Sequence, residues 1–233
     1  MRWAAVVMAL AATPAAAEIT GARYTEPTTR YAHGVLGDDI EHATLEVTLS
    51  DGMVASVNWV DTVVFEDTEP RLVDVTGDGA PEVIVVESHE DQGGRLAIYG
   101  LQDGTIARLA ETPWIGQRFR WLAPVGAADL DGDGAIEIAY IDRPHLAKTL
   151  RVWRYENGAL TQIATRAGLT NHRIGERDIA GGIRDCAQGP EMIVADAGWA
   201  QVVAVRMVDG ALVATPLGPH AGRPSFAKAM RCA

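Results

Sequence analysis

Oxygen donors stand at alternate positions of Asp129-Leu130-Asp131-Gly132-Asp133-Gly134-Ala135-Ile136-Glu137, a spacing that could bind a hard cation. In a tight glycine turn alternate side chains point inward. The carboxylates of Asp129, Asp131, Asp133 and Glu137, with the Ala135 carbonyl, can therefore converge on one ion. Ca2+ suits such a set, because it takes about six to eight oxygens in a flexible shell. A near copy, Asp74-Val75-Thr76-Gly77-Asp78-Gly79-Ala80-Pro81-Glu82, offers Asp74, Asp78, Glu82, the Thr76 hydroxyl and the Ala80 carbonyl. It has one charge fewer and is expected to bind more weakly. The competing reading is a pair of Asp-Gly turns whose carboxylates cap backbone amides. An EF-hand is excluded: its twelfth position would be Tyr140, not a glutamate, and the flanks 83–86 and 136–141 read as strands.

The elements that must position these loops repeat along the chain. Alternating strands end in Asp51-Gly52, Asp103-Gly104, Asn157-Gly158 and Asp209-Gly210, at steps of 52, 54 and 52 residues. Asp-Gly or Asn-Gly between alternating strands is a strong hairpin signal, since type I′ turns need positive φ. A period of this length with several short strands per repeat fits the blades of a propeller. No segment has a long 3.6-residue apolar period, so an all-β fold with little helix is expected.

The repeats fall at about 30–60, 69–109, 121–165 and 177–215. The first lacks an inner strand, and residues 225–232 fall where another inner strand should begin. The expectation is a four-bladed β-propeller closed by the C-terminal strand pairing into the N-terminal blade, which would leave no open sheet edge between the ends. An open stack or half of a larger dimeric ring is the alternative. Cys186 and Cys232 share one phase of the repeat, so a disulfide between neighbouring inner strands is expected; two unpaired buried thiols are the other reading. The fourth repeat retains only Asp185 and Glu191 of the acidic set and is read as having lost its metal.

Residues 1–17 read as a signal peptide: Arg2, an apolar run, then Pro14 and three alanines before Glu18. Residues 18–233 then form one propeller domain, secreted, in a bacterial periplasm. An even cysteine count fits that compartment. No later stretch is long and apolar enough for a membrane span. The net charge of −11 argues against nucleic acid as a partner, and a monomer is expected.

Asp-x-Asp-Gly-Asp-Gly-x-x-Glu followed by an apolar strand resembles the FG-GAP/VCBS repeat of integrin α-subunit propellers and bacterial secreted proteins. The likeness covers the two acidic loops, and the remaining blades by phase. The phenylalanine-glycine and glycine-alanine-proline signatures are largely missing, Pro124-Val125-Gly126-Ala127-Ala128 being the nearest trace. The resemblance implies a calcium-stabilised propeller with ligands at the loop positions above. It implies little about activity, because one fold hosts many functions.

In a propeller the acidic loops and the Asp-Gly turns share one face. The other face would collect His33, His89, His145 and Trp199 from one set of loops, and Trp114, Arg118, Arg120, His172, Arg173, Arg177, His220 and Arg223 from the inter-blade loops. Arg and aromatic residues favour recognition, so this face is expected to bind a protein or a small anionic or carbohydrate ligand. The bland alternative is an ordinary polar loop surface. No nucleophile elbow, His-Glu-x-x-His or phosphate loop is present in the sequence. A periplasmic hydrolase or lyase assembled across blades, for instance from His89, Asp142 and Arg177, is the competing function.

Overall fold

The apolar runs at 83–86, 138–141 and 192–195 become strands buried on both faces in the computed structural model, which describes residues 17–232. The strands fall into four successive groups. The first holds β1 (Ile19–Thr28), β2 (Glu41–Leu49) and β3 (Val54–Asn58). The second holds β4 (Val63–Phe65), β5 (Arg71–Val73), β6 (Glu82–His89), β7 (Gly93–Gln102) and β8 (Thr105–Glu111). The third is β9 (Leu122–Ala128), β10 (Glu137–Asp142), β11 (Thr149–Glu156) and β12 (Ala159–Ala167). The fourth is β13 (Leu169–Thr170), β14 (Gly182–Cys186), β15 (Gly189–Asp196), β16 (Gln201–Val208) and β17 (Ala211–Pro219), followed by helix α1 (Arg223–Ala229). Short β4 pairs with both β2 and β6, so the first two groups form one eight-stranded sheet. All strand pairs are antiparallel, and the curled sheets are consistent with a propeller-like fold.

Period-two alternation explains why these strands are apolar throughout. Side chains of a strand point alternately to its two faces, and here neighbouring groups cover both. Val83, Val85, Ala97 and Tyr99 pack with Leu45, Val47 and Phe65 towards the first group. Ile84, Val86, Leu96 and Ile98 pack with Ile138, Tyr140 and Trp153 of the third. Ala139, Ile141, Leu150 and Val152 in turn meet Met192, Val194, Val203 and Val205 of the fourth. Each large side chain so buried stabilises the fold by about 1.5–3 kcal/mol.

Three of the four expected turns have the type I′ signature, with both central residues at positive φ: Asp103 and Gly104 (50° and 74°), Asn157 and Gly158, Asp209 and Gly210. The first differs. Its loop is longer, the Leu49 amide donates to the Met53 carbonyl, and Asp51 is not left-handed.

The expected closure is corrected at both ends. Residues 225–232, read as an inner strand, instead contribute to α1 and the turn after it. Pro224 sits in the first helical turn, where its missing N–H costs nothing. Phe226 and Ala229, three apart, lay one apolar side onto Ile193, Ala195, Val202 and Ala204. The helix thus covers the side of the fourth group that a following sheet would have covered. At the other end, β1 was not anticipated; it carries Gly21 and Pro27 and pairs only with β2, an edge position that tolerates both residues. Cys186 and Cys232 are bonded, with Cα atoms 5.8 Å apart, but the bridge ties β14 to the end of α1 and not to a strand of another group. The expected leader lies outside the described residues except for Ala17. Among the described residues, no helix is long and apolar enough to cross a membrane.

Candidate functional site

The acidic loops join β5 to β6 and β9 to β10. They form because aspartates accept the amides of their own turns. Asp129 takes Gly132, Asp133 and Gly134 N–H at 2.7, 3.1 and 3.0 Å, and Asp133 takes Ala135 N–H at 2.9 Å. Asp74 likewise takes Gly77 and Gly79, and Asp78 takes Ala80. Buried Glu137 and Glu82 reach back to the loop entrances, accepting from Leu130 at 2.8 Å and from Val75 at 2.9 Å; Thr76 also donates to Glu82 through its amide and its hydroxyl. Asp129, Asp131 and Glu137 each place an oxygen within 4.8 Å of the others, a cluster that could hold a metal ion.

A cation of the chain itself enters that cluster. The Arg154 guanidinium, from β11, lies 2.7 Å from Asp131, 2.9 Å from Asp133 and 2.5 Å from Glu137. Burial opposes its charge, yet the hydrogen bonds it donates to Glu137 and Asp131 hold it above its ordinary pKa. Burial also pushes Glu137 upward against the pull of Arg154. The second loop's donors fit a hard cation, with Arg154 as an internal competitor. The first loop has no such arginine: the equivalent of Arg154 is Gly100, against which Glu82 packs. Burial pushes Glu82 upward, and only backbone amides and Thr76 oppose it. In the fourth group the loop shrinks to the β14–β15 turn, and Glu191 is bound by Arg184 at 2.5 Å.

The remaining sequence candidates sit at the opposite strand ends, and the loops there meet pairwise. His89 lies edge-on to Trp114 at 5.5 Å, and His145 Nε2 is 3.0 Å from His172 Nδ1. Trp199 meets His220 at 5.2 Å and carries the Arg173 guanidinium at 4.3 Å. Arg118 stacks on Phe119 at 4.6 Å, and Phe119 in turn stacks on His33. Arg120 donates to the Phe119 carbonyl. Leu146 and Ile174, on the same loops, are 62% and 71% exposed. Burial, and then the neighbouring His172 and His33, lower His145 to about 4.

Arg177 stands apart, largely exposed and 3.7 Å from Asp38. The trio His89, Asp142 and Arg177 is not brought together: Asp142 is held by Arg143 and Arg151. Buried Ser88 donates to Glu66 and not to His33, whose Nδ1 is 2.5 Å from the same carboxylate.

Sequence reasoning missed Arg95, Tyr140, Arg143, Arg151, Trp153 and Arg154. Tyr140 and Asp142 are two apart on β10, and Arg151 and Trp153 two apart on β11, so all four share one sheet face. The signal was that alternation, and it has meaning only once β10 and β11 are known to pair. Arg95 lies 4.0 Å over the Trp114 ring and is itself anchored at 2.7 Å to buried Glu87.

Residues 74–140, which span both acidic loops, match the family of FG-GAP-like repeats, and the chain thus carries an FG-GAP-like repeat. A search of curated proteins finds no match.

Proposed function

We propose that the chain is a secreted, periplasmic, calcium-binding β-propeller of four blades that works as a non-catalytic binding module. The four strand groups and the FG-GAP-like repeat support the architecture. The β1–β2 loop reaches the fourth group, its Val35 carbonyl accepting from Gly175 N–H at 2.9 Å, a contact that supports closure of the ring. The Cys186–Cys232 disulfide is compatible with an oxidising compartment. Ca2+ would be held by Asp129, Asp131, Asp133, Glu137 and the Ala135 carbonyl, and by Asp74, Thr76, Asp78, Ala80 and Glu82 in the first loop. There it would neutralise converging carboxylates and pin each loop to its sheet.

The observation that carries the binding role is the composition of the opposite loop end. Exposed Leu146 and Ile174 stand among the stacked pairs Arg118–Phe119, Arg173–Trp199 and Arg95–Trp114. Arginine and aromatic anchors are enriched on recognition surfaces. The test is binding of the protein to arrays of saccharides and peptides, beside a variant with Arg118, Arg120 and His145 all replaced by alanine. At least one ligand class should be retained by the parent and lost by the variant, with melting temperature unchanged. Binding that survives this variant but disappears on Asp131→Asn would place the working surface at the other end.

A further inference from the structure

Between the second and third strand groups, where their packing opens towards the loop end, lies a cleft of about 210 Å³. Trp114 from the β8–β9 loop forms one wall, and Tyr140 and Trp153, stacked at 6.3 Å, form the other. Asp142, Arg143 and Arg151 line its polar side. The volume is below the ~300–1,000 Å³ of sites for drug-sized ligands and suits a single ring.

Its polar side is built rather than incidental. Asp142, only 3% exposed, is the one carboxylate among the lining residues. It accepts Arg143 through Nε at 2.8 Å and Nη2 at 3.0 Å, and Arg151 through Nε at 3.0 Å. Two guanidinia on one carboxylate leave an excess positive charge, and both arginines remain about one-third exposed (36% and 30%). Arg143 takes up a left-handed backbone, φ 46°, fixed by its amide donating to the Trp121 carbonyl. Strain of this kind in a residue with a side chain gathers at ligand sites. Gln162 Oε1 accepts from Arg151 at 2.6 Å, which leaves its amide nitrogen to donate. The Trp114 wall is held just as firmly, through Arg95 to buried Glu87. Side chains locked in this way are preorganised for a ligand.

We propose that this cleft binds a small molecule in which a carboxylate is carried on a six-membered ring, the ring against Trp114 and the carboxylate against Arg143 and Arg151. The assignment rests on the reading of the loop end as a binding surface and names its ligand chemistry. Guanidinium forks match a carboxylate in geometry and charge, and a flat aromatic wall matches a ring face. An acidic sugar and an aromatic acid both carry this chemistry.

The test is titration of the protein, followed through tryptophan indole N–H signals, with galacturonate, with its methyl ester and with benzoate. Either acid should shift Trp114 and Trp153; a response to galacturonate alone identifies an acidic sugar, and to benzoate alone an aromatic acid. The ester should bind about ten-fold more weakly than galacturonate if the sugar is the ligand. Arg151→Lys, which keeps the charge but loses the fork, should weaken the acid about ten-fold. Silence at Trp114 and Trp153 with both acids, or an ester as tight as the acid, would overturn the proposal. Shifts confined to Trp199 would overturn it while leaving the loop end as the binding surface. None of Arg118, Arg120 and His145 lines the cleft, so the triple variant should keep both acids bound there.

Discussion

Arg154 takes part in the second acidic loop as a cation would, gathering Asp131, Asp133 and Glu137 around one positive charge. Its removal leaves Glu137, fully buried, with only the Leu130 amide. Arg154→Met should therefore destabilise the protein by about 3 kcal/mol in denaturant unfolding, the cost of breaking a buried pair from one side. A loss below about 1 kcal/mol would mean that the pair is solvated. His145 gives a pH dependence of definite sign. Its pKa falls from the ordinary 6.5 to about 4 in the folded chain, so between these values the unfolded state takes up the proton first. Stability should fall by about 1–3 kcal/mol as pH drops from about 6.5 to 4, and His145→Gln should flatten that slope. The loop carboxylates themselves were legible because their spacing is local. Arg154 was not, because it arrives from a strand seventeen residues beyond Glu137 and pairs only when β10 and β11 align.

At the scale of elements, the apolar runs of β6, β10 and β15 were readable as strands, and the Asp-Gly and Asn-Gly dipeptides as their turns. The C-terminal segment was misassigned by phase alone. Its local signals pointed to a helix: Pro224 in the first turn, alanines, and apolar Phe226 and Ala229 one turn apart. Because Phe226 is 3% exposed and fills the apolar side of β15 and β16, Phe226→Ala should cost about 3–4 kcal/mol. A cost near zero would show that the helix only leans on the sheet. Reducing the Cys186–Cys232 bridge, whose residues are 46 apart, should cost about 4 kcal/mol on the chain-entropy account and be seen as a lowered unfolding midpoint. β1 was missed for the opposite reason, since a strand paired on one side needs little apolar alternation.

The whole molecule separates its chemistry by strand polarity. One end carries the two acidic loops and the Asp-Gly and Asn-Gly turns; the other gathers His89, His145, His172 and His220 with Trp114 and Trp199 and the arginines stacked on them. Topology enforces this division, because antiparallel neighbours return alternate connections to alternate ends. It was foreseeable from the repeat, whereas the cleft was not, since it exists only where two groups pack and then diverge. The central claim is that the acidic end stabilises and the loop end binds. Calorimetric melting in calcium and in chelator tests it most directly, on the parent, on Asp131→Asn with Asp133→Asn, and on the variant lacking Arg118, Arg120 and His145. The account predicts that calcium raises the melting temperature of the parent and of the loop-end variant alike, and that the acidic-loop substitutions diminish the rise. Identical melts in calcium and chelator, or a calcium response lost with the loop-end residues, would contradict it.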